Sequence, residues 1–200
     1  MVYAVTYVEV VPPSTDTGAA WLRRYREAVP ADAGDRSIEV VQRIDRPSHF
    51  AILATWENQE AFDAHGMSAS AVDLRSGLAT LLASPNDERV HVGLSVGPRG
   101  APFASSVYVV THVDVIPPRK DDGLGLLTQL AEDSRKDAGN VRFDVVQQAN
   151  RPNHFTVVEV WRDRMALDAH GMATHTRRFR ERLAPMSGAL YDERLYTALP

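Results

Sequence analysis

The amino-acid sequence contains two copies of one unit, separated by an offset of 105 residues. Residues 2–13 return as residues 107–118 with eight of twelve positions identical, and 14 of the 28 residues from Val40 to Met67 recur at the same offset. Unrelated segments agree at roughly one position in fifteen, so the match is a duplication, and its period is longer than that of solenoid repeats. The chain must therefore fold as two copies of one small domain.

Composition and charge exclude several classes of protein. The 200 residues are 44% hydrophobic and carry a formal net charge of -4, with acidic and basic residues interspersed. This is typical of a globular chain, without a basic stripe for nucleic acid or a polybasic patch for a membrane surface. The sequence has no cysteine, which excludes disulfides, thiolate nucleophiles and cysteine-ligated metals. No apolar run approaches about 18 residues, so no membrane segment and a cytoplasmic location are expected.

Both copies show the same order of predicted elements. Each starts with a β-branched run that ends at a Pro-Pro pair, followed by apolar residues at helical spacing. Two further β-rich runs joined by an Arg-Pro turn predict a hairpin. Asn58 and Asp163 then stand where helix N-caps are expected, before a helical stretch and a last strand. The order β-α-β-β-α-β predicts a ferredoxin-like sheet.

A ferredoxin-like sheet has helices on one face only, so its other face needs a partner. A second copy in the same chain can supply that partner. The predicted fold class is therefore α+β, with two ferredoxin-like β-α-β-β-α-β repeats forming an intrachain, pseudo-dimeric α+β barrel. The predicted domains are repeat 1 at 1–94, a linker rich in Gly and Pro at 95–106, and repeat 2 at 107–200.

Three kinds of stretch resemble the antibiotic biosynthesis monooxygenase family of the dimeric α+β barrel superfamily. They are the strand that ends at a proline turn, the stretch from Arg-Pro-Asn-His-Phe to Trp-Arg-Asp in the second copy, and the runs Ala-Phe-Asp-Ala-His and Ala-Leu-Asp-Ala-His after each Trp. The resemblance covers both repeats. It implies small oxygenases that use no cofactor and act on polycyclic phenols, anthrones or quinols, along with haem-degrading relatives.

The resemblance also implies a substrate cavity between sheet and helices. It places Trp56 and Trp161 in that cavity, where an indole can stack on a flat aromatic substrate. The alternative for both is a core tryptophan. It further places Arg75 and Arg180 where an arginine of the family faces the ligand, and a guanidinium there would favour a phenolate. The alternative is a solvated helix arginine.

Histidines at two matching positions are candidate proton acceptors, because histidine titrates near neutrality. The alternative for His65 and His170 is a structural role at a bend in the helix. His175 has no twin, since Ser70 occupies the matching position, and a histidine is common there in relatives. The predicted catalytic residues are therefore His170, His175 and Arg180.

The second copy gains polar side chains that the first lacks. His112 replaces Tyr7, and Glu159 replaces Ala54. Glu159 shares a strand face with the following Trp at a period of two, so its carboxylate can orient a nearby donor; surface placement is the alternative. One working cavity is expected in the second copy. The predicted substrate-binding residues are Trp161, Glu159, Thr111, His112, Trp56, His65 and Arg75.

Neither a metal ion nor haem is predicted. His170 and His175 are five residues apart, about 140° around a helix, and so do not point at one ion as an i, i+4 pair does. Haem-degrading relatives carry an axial histidine in the second helical region, where this sequence has Arg75 and Arg180. This departure makes haem an unsuitable cofactor.

The sequence predicts a cofactor-independent monooxygenase that oxidises an electron-rich phenol, anthrone or quinol, with O2 as co-substrate. The expected partner is an aromatic or quinol-like small molecule, with no nucleic acid and no membrane. A homodimer of such chains is an open alternative, because one chain already contains both halves of a barrel. One departure weakens the monooxygenase prediction, because the asparagine that some relatives carry four residues before the Trp is Ile52 or Val157 here. The alternative is a non-catalytic barrel that binds an apolar small molecule or a partner protein.

Overall fold

A computed structural model of the chain describes residues 1–29 and 37–199, which form two compact units. The first unit comprises Met1–His91 with the C-terminal residues from Thr197, and the second comprises Val92–Tyr196. In the described part of the chain, no helix is both long enough and apolar enough to cross a membrane.

The first copy follows the predicted order of elements. Its strands and helices are β1 (Val2–Glu9), α1 (Thr15–Ala28), β2 (Ser37–Arg43), β3 (His49–Trp56), α2 (Gln59–Gly66), α3 (Ala69–Leu78) and β4 (Asp87–Ser95). Strand β3 pairs antiparallel with both β1 and β2. In these ladders Trp56 lies opposite Val2, and Thr55 lies opposite Ser37.

The second copy repeats the pattern. Its strands and helices are β5 (Val107–Asp114), α4 (Lys120–Ser134), β6 (Asn140–Gln148), β7 (His154–Trp161), α5 (Arg164–Met172), α6 (Thr174–Leu183) and β8 (Asp192–Ala198). Strand β7 pairs antiparallel with β5 and β6, and the ladder with β6 is irregular between Asn140 and Arg142.

The predicted fold class is confirmed. The chain is α+β, both copies have the β-α-β-β-α-β order, and the strands hydrogen-bond in the order β1-β3-β2-β8-β5-β7-β6-β4 as a closed barrel.

Local sequence signals set the boundaries of these elements. Short 3-10 turns at Pro12–Ser14 and Pro117–Arg119 follow β1 and β5, because a proline ring fixes φ and removes a backbone donor. Asn58 and Asp163 are the N-caps of α2 and α5, and each side chain accepts a 2.9 Å hydrogen bond from the backbone amide three residues later. The predicted N-caps are confirmed.

The core of the second unit lies between its sheet and its helices. Leu127 and Leu130 of α4 and Phe179 of α6 are buried against Phe143 and Val157 of the sheet. Burial of each such side chain stabilises the folded state by about 1.5–3 kcal/mol. This packing fixes the helix faces from which the polar residues of the second copy project.

Candidate functional site

Strand β7 directs Glu159 and Trp161 toward the helices of the second unit. Their side chains share a face because alternate residues of a strand point the same way, and Phe155 and Val157 on that face belong to the helix-packed core. The indole Nε1 of Trp161 donates a 2.8 Å hydrogen bond to Oε2 of Glu159. The carboxyl group therefore orients a neighbouring donor, as the strand period suggests.

Glu159 is a buried carboxyl group, with 5% of its surface exposed. Its pKa is raised to about 8, mainly by burial and also by the Glu193 carboxylate, against the opposing effects of the Trp161 hydrogen bond and the Arg180 charge. At neutral pH most of the Glu159 population is therefore protonated. A neutral carboxyl group is a hydrogen-bond donor as well as an acceptor.

His170 lies beside these two residues, near the end of α5. Its ring stacks on Trp161 with centroids 4.5 Å apart and an interplanar angle of 27°. The Phe143 ring packs edge-on, with its centroid 5.8 Å from that of the imidazole. Its Nε2 is 4.0 Å from Oε2 of Glu159. The imidazole is thus sandwiched against the core with one nitrogen directed at the Glu159 carboxyl group.

The other nitrogen of His170 contacts a carboxylate. Nδ1 lies 2.8 Å from Oδ2 of Asp137. An anionic acceptor favours the tautomer with the proton on Nδ1, which leaves Nε2 as a proton acceptor. Burial lowers the pKa of His170, while the hydrogen bond and charge of Asp137 raise it. The balance favours a neutral, oriented imidazole.

A tight turn before β6 holds Asp137. The backbone amide of Asn140 donates a 3.1 Å hydrogen bond to the carbonyl of Asp137, and Gly139 has a φ of +85°, which residues with a Cβ rarely adopt. A Cβ at Gly139 would lie 2.6 Å from Cβ of Ala166 on α5. Glycine therefore lets this loop approach the helix that carries His170.

His175 reaches the same carboxylate because the helix breaks. Between α5 and α6, Ala173 has extended backbone angles. His175 Nε2 lies 3.1 Å from Oδ2 of Asp137, but the contact is out of line for a hydrogen bond, and this buried nitrogen has no hydrogen-bond partner among residues 1–29 and 37–199. The expectation that His170 and His175 point apart is wrong, because it assumed one continuous helix.

A cavity of about 360 Å³ adjoins this cluster in the second unit. Its lining includes the predicted site residues Glu159, His170 and Arg180, together with Tyr191 and Glu193, which the sequence analysis does not select. Its volume falls within the range of small-molecule sites. The cavity lies in the copy where the sequence analysis expects the site.

Arg180 brings a permanent positive charge to the cavity wall. Nη2 of Arg180 is 3.6 Å from Oε2 of Glu193, and both side chains are partly exposed. Tyr191 exposes 38% of its surface, yet its hydroxyl end is desolvated. Burial and the carboxyl groups of Glu159 and Glu193 raise the pKa of Tyr191, so its hydroxyl stays neutral. The cavity wall thus combines the Arg180 guanidinium with neutral hydrogen-bonding groups, and it also carries the Glu193 carboxylate and the ion pair of Arg164 and Asp168.

The two predicted residues on β5 have different environments. Thr111 is fully buried, and its hydroxyl has no hydrogen bond of ordinary geometry within the described residues, although it lies near enough to Tyr191 to lower that residue's pKa. His112 is on the opposite face of the strand, where Nδ1 is 3.2 Å from the Thr156 hydroxyl. The structure therefore brings Thr111 toward the cavity and turns His112 away.

A second cavity, of about 530 Å³, lies on the other side of Asp137 and His175 in the same unit. Leu130 and Phe179 line both cavities. The lining of the second also includes the cationic residues Lys136, Arg178 and Arg182. Predicted residue His175 therefore faces this second cavity, while His170 faces the first.

The first copy places its own predicted residues in a different arrangement. Trp56 and His65 are in ring contact with centroids 4.3 Å apart. Nε2 of His65 is 2.6 Å from the hydroxyl of Tyr25, and burial raises the pKa of that tyrosine to about 12. Arg75 donates a 2.7 Å hydrogen bond to the carbonyl of Gly66. Here the histidine and the arginine already have partners on neighbouring helices of the first unit.

Cavity space also differs at the location that matches the second cavity of about 530 Å³. Beside Tyr25 and Ser70 the first unit has a cavity of only about 30 Å³. Trp21 lines it and packs so closely on Gly77 that a Cβ there would lie 2.3 Å from the indole. The matching residue in the second copy is Leu126, and the smaller side chain leaves more space.

Sequence reasoning missed Asp137, Tyr191 and Glu193. Asp137 stands in an Asp-Ala-Gly run that recurs as Asp32-Ala33-Gly34, and this recurrence is the signal that could have identified it. Residues 32–34 lie outside the described residues, so the first-copy counterpart is known from sequence only. Tyr191 corresponds to Asn86, which is already polar, so a search for polar groups gained in the second copy does not select it.

Comparison with known proteins identifies the family. The family described as antibiotic biosynthesis monooxygenase matches residues 1–74 and 106–182. The chain belongs to this family. Both repeats match separately, so the resemblance inferred from the sequence motifs is confirmed. Membership supports a general monooxygenase role and a fold that binds small molecules.

Curated relatives share one repeat with this chain. The Bacillus subtilis (strain 168) protein named putative monooxygenase YcnE is 25% identical over 73 residues, which are 36% of this chain and 77% of that protein. The uncharacterized protein sll1783 of Synechocystis is 29% identical over 76 residues, which are 38% of this chain and 52% of that protein.

Solved structures share the whole fold. A putative monooxygenase from Fusobacterium nucleatum superposes with a TM-score of 0.90 at 12% identity, covering 100% of this chain and 92% of that chain. One from Lactobacillus acidophilus gives a TM-score of 0.83 at 13% identity, covering 100% and 94%. An anthrone oxidase-like protein gives 0.73 at 11% identity, covering 98% and 90%. At these identities the likeness shows the fold alone.

Proposed function

We propose that the second copy is a cofactor-independent monooxygenase site that oxidises an electron-rich phenol, anthrone or quinol with O2. The observation that carries the proposal is the arrangement of Glu159, His170 and Arg180 around one cavity of about 360 Å³. The three side chains supply a hydrogen-bond donor, a proton acceptor and a fixed positive charge. Together these groups can deprotonate an aromatic substrate and stabilise the anion that forms.

His170 is the proposed base. Nδ1 is held by Asp137 at 2.8 Å, which leaves Nε2 as the accepting nitrogen of a residue that lines the cavity; Nε2 also lies 3.4 Å from the Thr176 hydroxyl. A base oriented by a carboxylate accepts a proton without first having to reorient. His175 contacts the same carboxylate and lines the other cavity. Its proposed role is to accept a proton from Asp137 or return one to it.

Arg180 is the proposed stabiliser of the substrate oxyanion. A guanidinium keeps its charge at every relevant pH, and a preorganised cation near a developing negative charge is among the largest contributions to catalysis. Glu193 lies 3.6 Å from Arg180. A bound phenolate would therefore share Arg180 with the Glu193 carboxylate.

Glu159 is the proposed hydrogen-bond donor to a substrate oxygen. The raised pKa of about 8 keeps its carboxyl group protonated at neutral pH, while Trp161 occupies Oε2. The acid proton is then available to a substrate carbonyl or hydroxyl. Some relatives use an asparagine for this contact at the place of Val157, which lies on the same strand face two residues earlier. Glu159 would restore the missing donor.

The proposed chemistry needs no cofactor, because the substrate anion itself supplies the electrons to O2. His170 removes a proton, and the electron-rich anion passes one electron to O2. The two radicals combine into a carbon-bound peroxide, which loses water. An anthrone CH2 becomes a C=O, with one oxygen atom in the product and the other in water. The protein binds, deprotonates and excludes water. The solved anthrone oxidase-like fold supports this substrate class.

The test is oxygen consumption with a panel of anthrones and hydroquinones in the presence of a chelator. We expect turnover with a two- or three-ring substrate, and one 18O atom from labelled O2 in the product. No turnover with any member of the panel would contradict the oxygenase. Thermal stabilisation by the same compounds without oxygen uptake would instead favour the barrel that only binds an apolar small molecule.

That two chains form a homodimer stays a prediction. Sedimentation velocity should then show a species of about twice 22.1 kDa. A single species at the chain mass would contradict it.

A further inference from the structure

Three potential metal ligands meet in the second unit. Asp137, His170 and His175 each offer one ligand atom, and these atoms all lie within 4.8 Å of one another. Oδ2 of Asp137 is 2.8 Å from Nδ1 of His170 and 3.1 Å from Nε2 of His175. With bonds of about 2.0–2.2 Å in tetrahedral or octahedral geometry, neighbouring ligand atoms are roughly 2.8–3.5 Å apart. Both oxygen–nitrogen distances therefore fit a shared ion.

The environment of His175 also favours a cation. Its Nε2 is buried and has no hydrogen-bond partner in the described ranges 1–29 and 37–199. It nevertheless approaches a carboxylate oxygen to 3.1 Å with no hydrogen aligned between the two atoms. A buried polar atom without a partner costs free energy. A cation between the nitrogen and the oxygen would remove that cost.

The ligand types limit the choice of ion. Two imidazole nitrogens and one carboxylate oxygen suit Zn2+, Fe2+, Co2+, Ni2+ or Cu2+, whereas Mg2+ and Ca2+ prefer oxygen ligands alone. The second cavity, which Asp137 and His175 line, offers a path for the ion and space for water at the remaining positions. Three protein ligands with an open position are an ordinary coordination set for zinc.

The nearby cations set an upper limit on affinity. Lys136, Arg178 and Arg182 line the same cavity, and Lys136 is partly neutralised by Asp133 at 3.0 Å. Their charge opposes a cation, so binding should be weaker than at closed structural zinc sites. The same cationic wall favours an anion or hydroxide as the fourth ligand.

We propose that Asp137, His170 and His175 bind one divalent first-row transition-metal ion through Oδ2, Nδ1 and Nε2. The ion inhibits the oxygenase, and this second part rests on the proposed function. An ion on Nδ1 of His170 leaves the ring proton on Nε2, which then becomes a donor. The nitrogen that should accept the substrate's proton is no longer able to do so.

Isothermal titration of the chelator-treated full chain with ZnCl2 tests the site without substrate. We expect one ion per chain. The variant His175→Ser installs the residue of the first copy, Ser70, and should weaken binding at least about tenfold, since loss of even an outer partner of a zinc ligand costs 10–100-fold. His154→Gln is the matched control, because His154 pairs with Asp114 at 2.7 Å elsewhere in the unit. Its affinity should equal that of the wild type.

Three outcomes of the titration would overturn the site. They are no Zn2+ binding by the wild type, equal binding by His175→Ser, and equal weakening by His154→Gln. The visible absorption of bound Co2+ gives a second readout, and it should disappear in His175→Ser alone.

Inhibition is tested separately from binding. Zn2+ at saturation should abolish oxygen uptake by the wild type, and EDTA should restore it. Zn2+ binding without inhibition would overturn the inhibitory role and argue against His170 as the base. Absence of any oxygen uptake would contradict the proposed function while the titration still decides the site.

Discussion

The two copies use the same Trp-His pair in two ways. The ring centroids are 4.3 Å apart for Trp56 and His65 and 4.5 Å apart for Trp161 and His170. In the first copy the histidine Nε2 is capped by the Tyr25 hydroxyl at 2.6 Å. In the second the matching nitrogen lies 3.4 Å from the Thr176 hydroxyl and 4.0 Å from the Glu159 carboxyl group, and the opposite nitrogen contacts a carboxylate. The stacked pair belongs to the fold, and the neighbours of the imidazole decide whether it can do chemistry.

Replacing each histidine in turn gives the largest expected difference between the two copies. His170→Ala should lower kcat/KM by about 10²–10⁴-fold, the usual contribution of a general base. His65→Ala should lower it far less and should mainly reduce the melting temperature, because His65 is bonded to Tyr25 in the core. Oxygen uptake and thermal melting of both variants decide. Equal losses of activity would show that both copies work.

Removal of the two arginines sharpens the same contrast. Arg180→Ala should reduce kcat by about 10²–10³-fold, as expected when a donor to an oxyanion is lost. Arg75→Ala removes a hydrogen bond to the Gly66 carbonyl, so its effect should appear in stability. Steady-state kinetics with the preferred quinol or anthrone gives the comparison. A larger kcat effect from Arg75→Ala would reverse the assignment of the working copy.

Glu159→Ala gives the second copy the residue of the first, Ala54, and should change how stability depends on pH. The folded-state pKa of Glu159 is about 8 against 4.5, so the unfolded chain loses this proton first. Wild-type stability should therefore fall as pH rises from about 4.5 to about 8, by at most about 5 kcal/mol. Urea titrations across this range should show a flatter profile for the variant. Identical profiles would mean that Glu159 ionises normally.

The loop that carries Asp137 can be tested through a pair of glycines. Gly139→Ala places a Cβ at positive φ and 2.6 Å from Ala166, so it should destabilise the fold by about 1–2 kcal/mol and reduce turnover. Gly125→Ala is the control, because no atom lies within 4 Å of its added Cβ and alanine favours a helix interior by about 0.5–1 kcal/mol. Chemical denaturation should show opposite signs for the two changes. A neutral Gly139→Ala would show that the turn is easily remodelled.

The smallest expected effect is that of Tyr25→Phe in the first copy. It removes the hydroxyl that caps His65 and should cost about 1 kcal/mol, the net value of a typical hydrogen bond. The pKa of Tyr25 is raised to about 12, so the hydroxyl itself stays protonated between about pH 6 and 9. Differential scanning calorimetry provides the measurement. A gain of oxygenase activity would show that the capped nitrogen is the main obstacle in the first copy.

The sequence predicts the fold better than the site because the two depend on different kinds of contact. Strand order, the hairpins and the N-caps at Asn58 and Asp163 follow from local patterns, and the structure confirms them. The contact between Asp137 and His170 depends instead on a loop 33 residues earlier in the chain. Helical spacing also misled the prediction for His175, because the extended backbone of Ala173 interrupts the helix.

Polar differences between the copies were informative where strand alternation could be applied. The period of two placed Glu159 beside Trp161, and a 2.8 Å hydrogen bond joins them. The same reasoning could not separate Thr111 from His112, since adjacent strand residues face opposite sides and only the packed helices show which side holds the cavity. Tyr191 lies outside the helices and strands, so no periodicity predicts its position.

The duplication has a consequence for how many ligands the protein can bind and how it can evolve. In an assembly of identical subunits every substitution appears at all sites, so a residue that fills one cavity fills them all. Joining two copies in one chain removes that constraint, and Tyr25 can occupy one position while Leu130 occupies its counterpart. A saturation experiment on this protein should therefore count one substrate molecule per 200 residues, half the number that the repeat of its sequence would suggest.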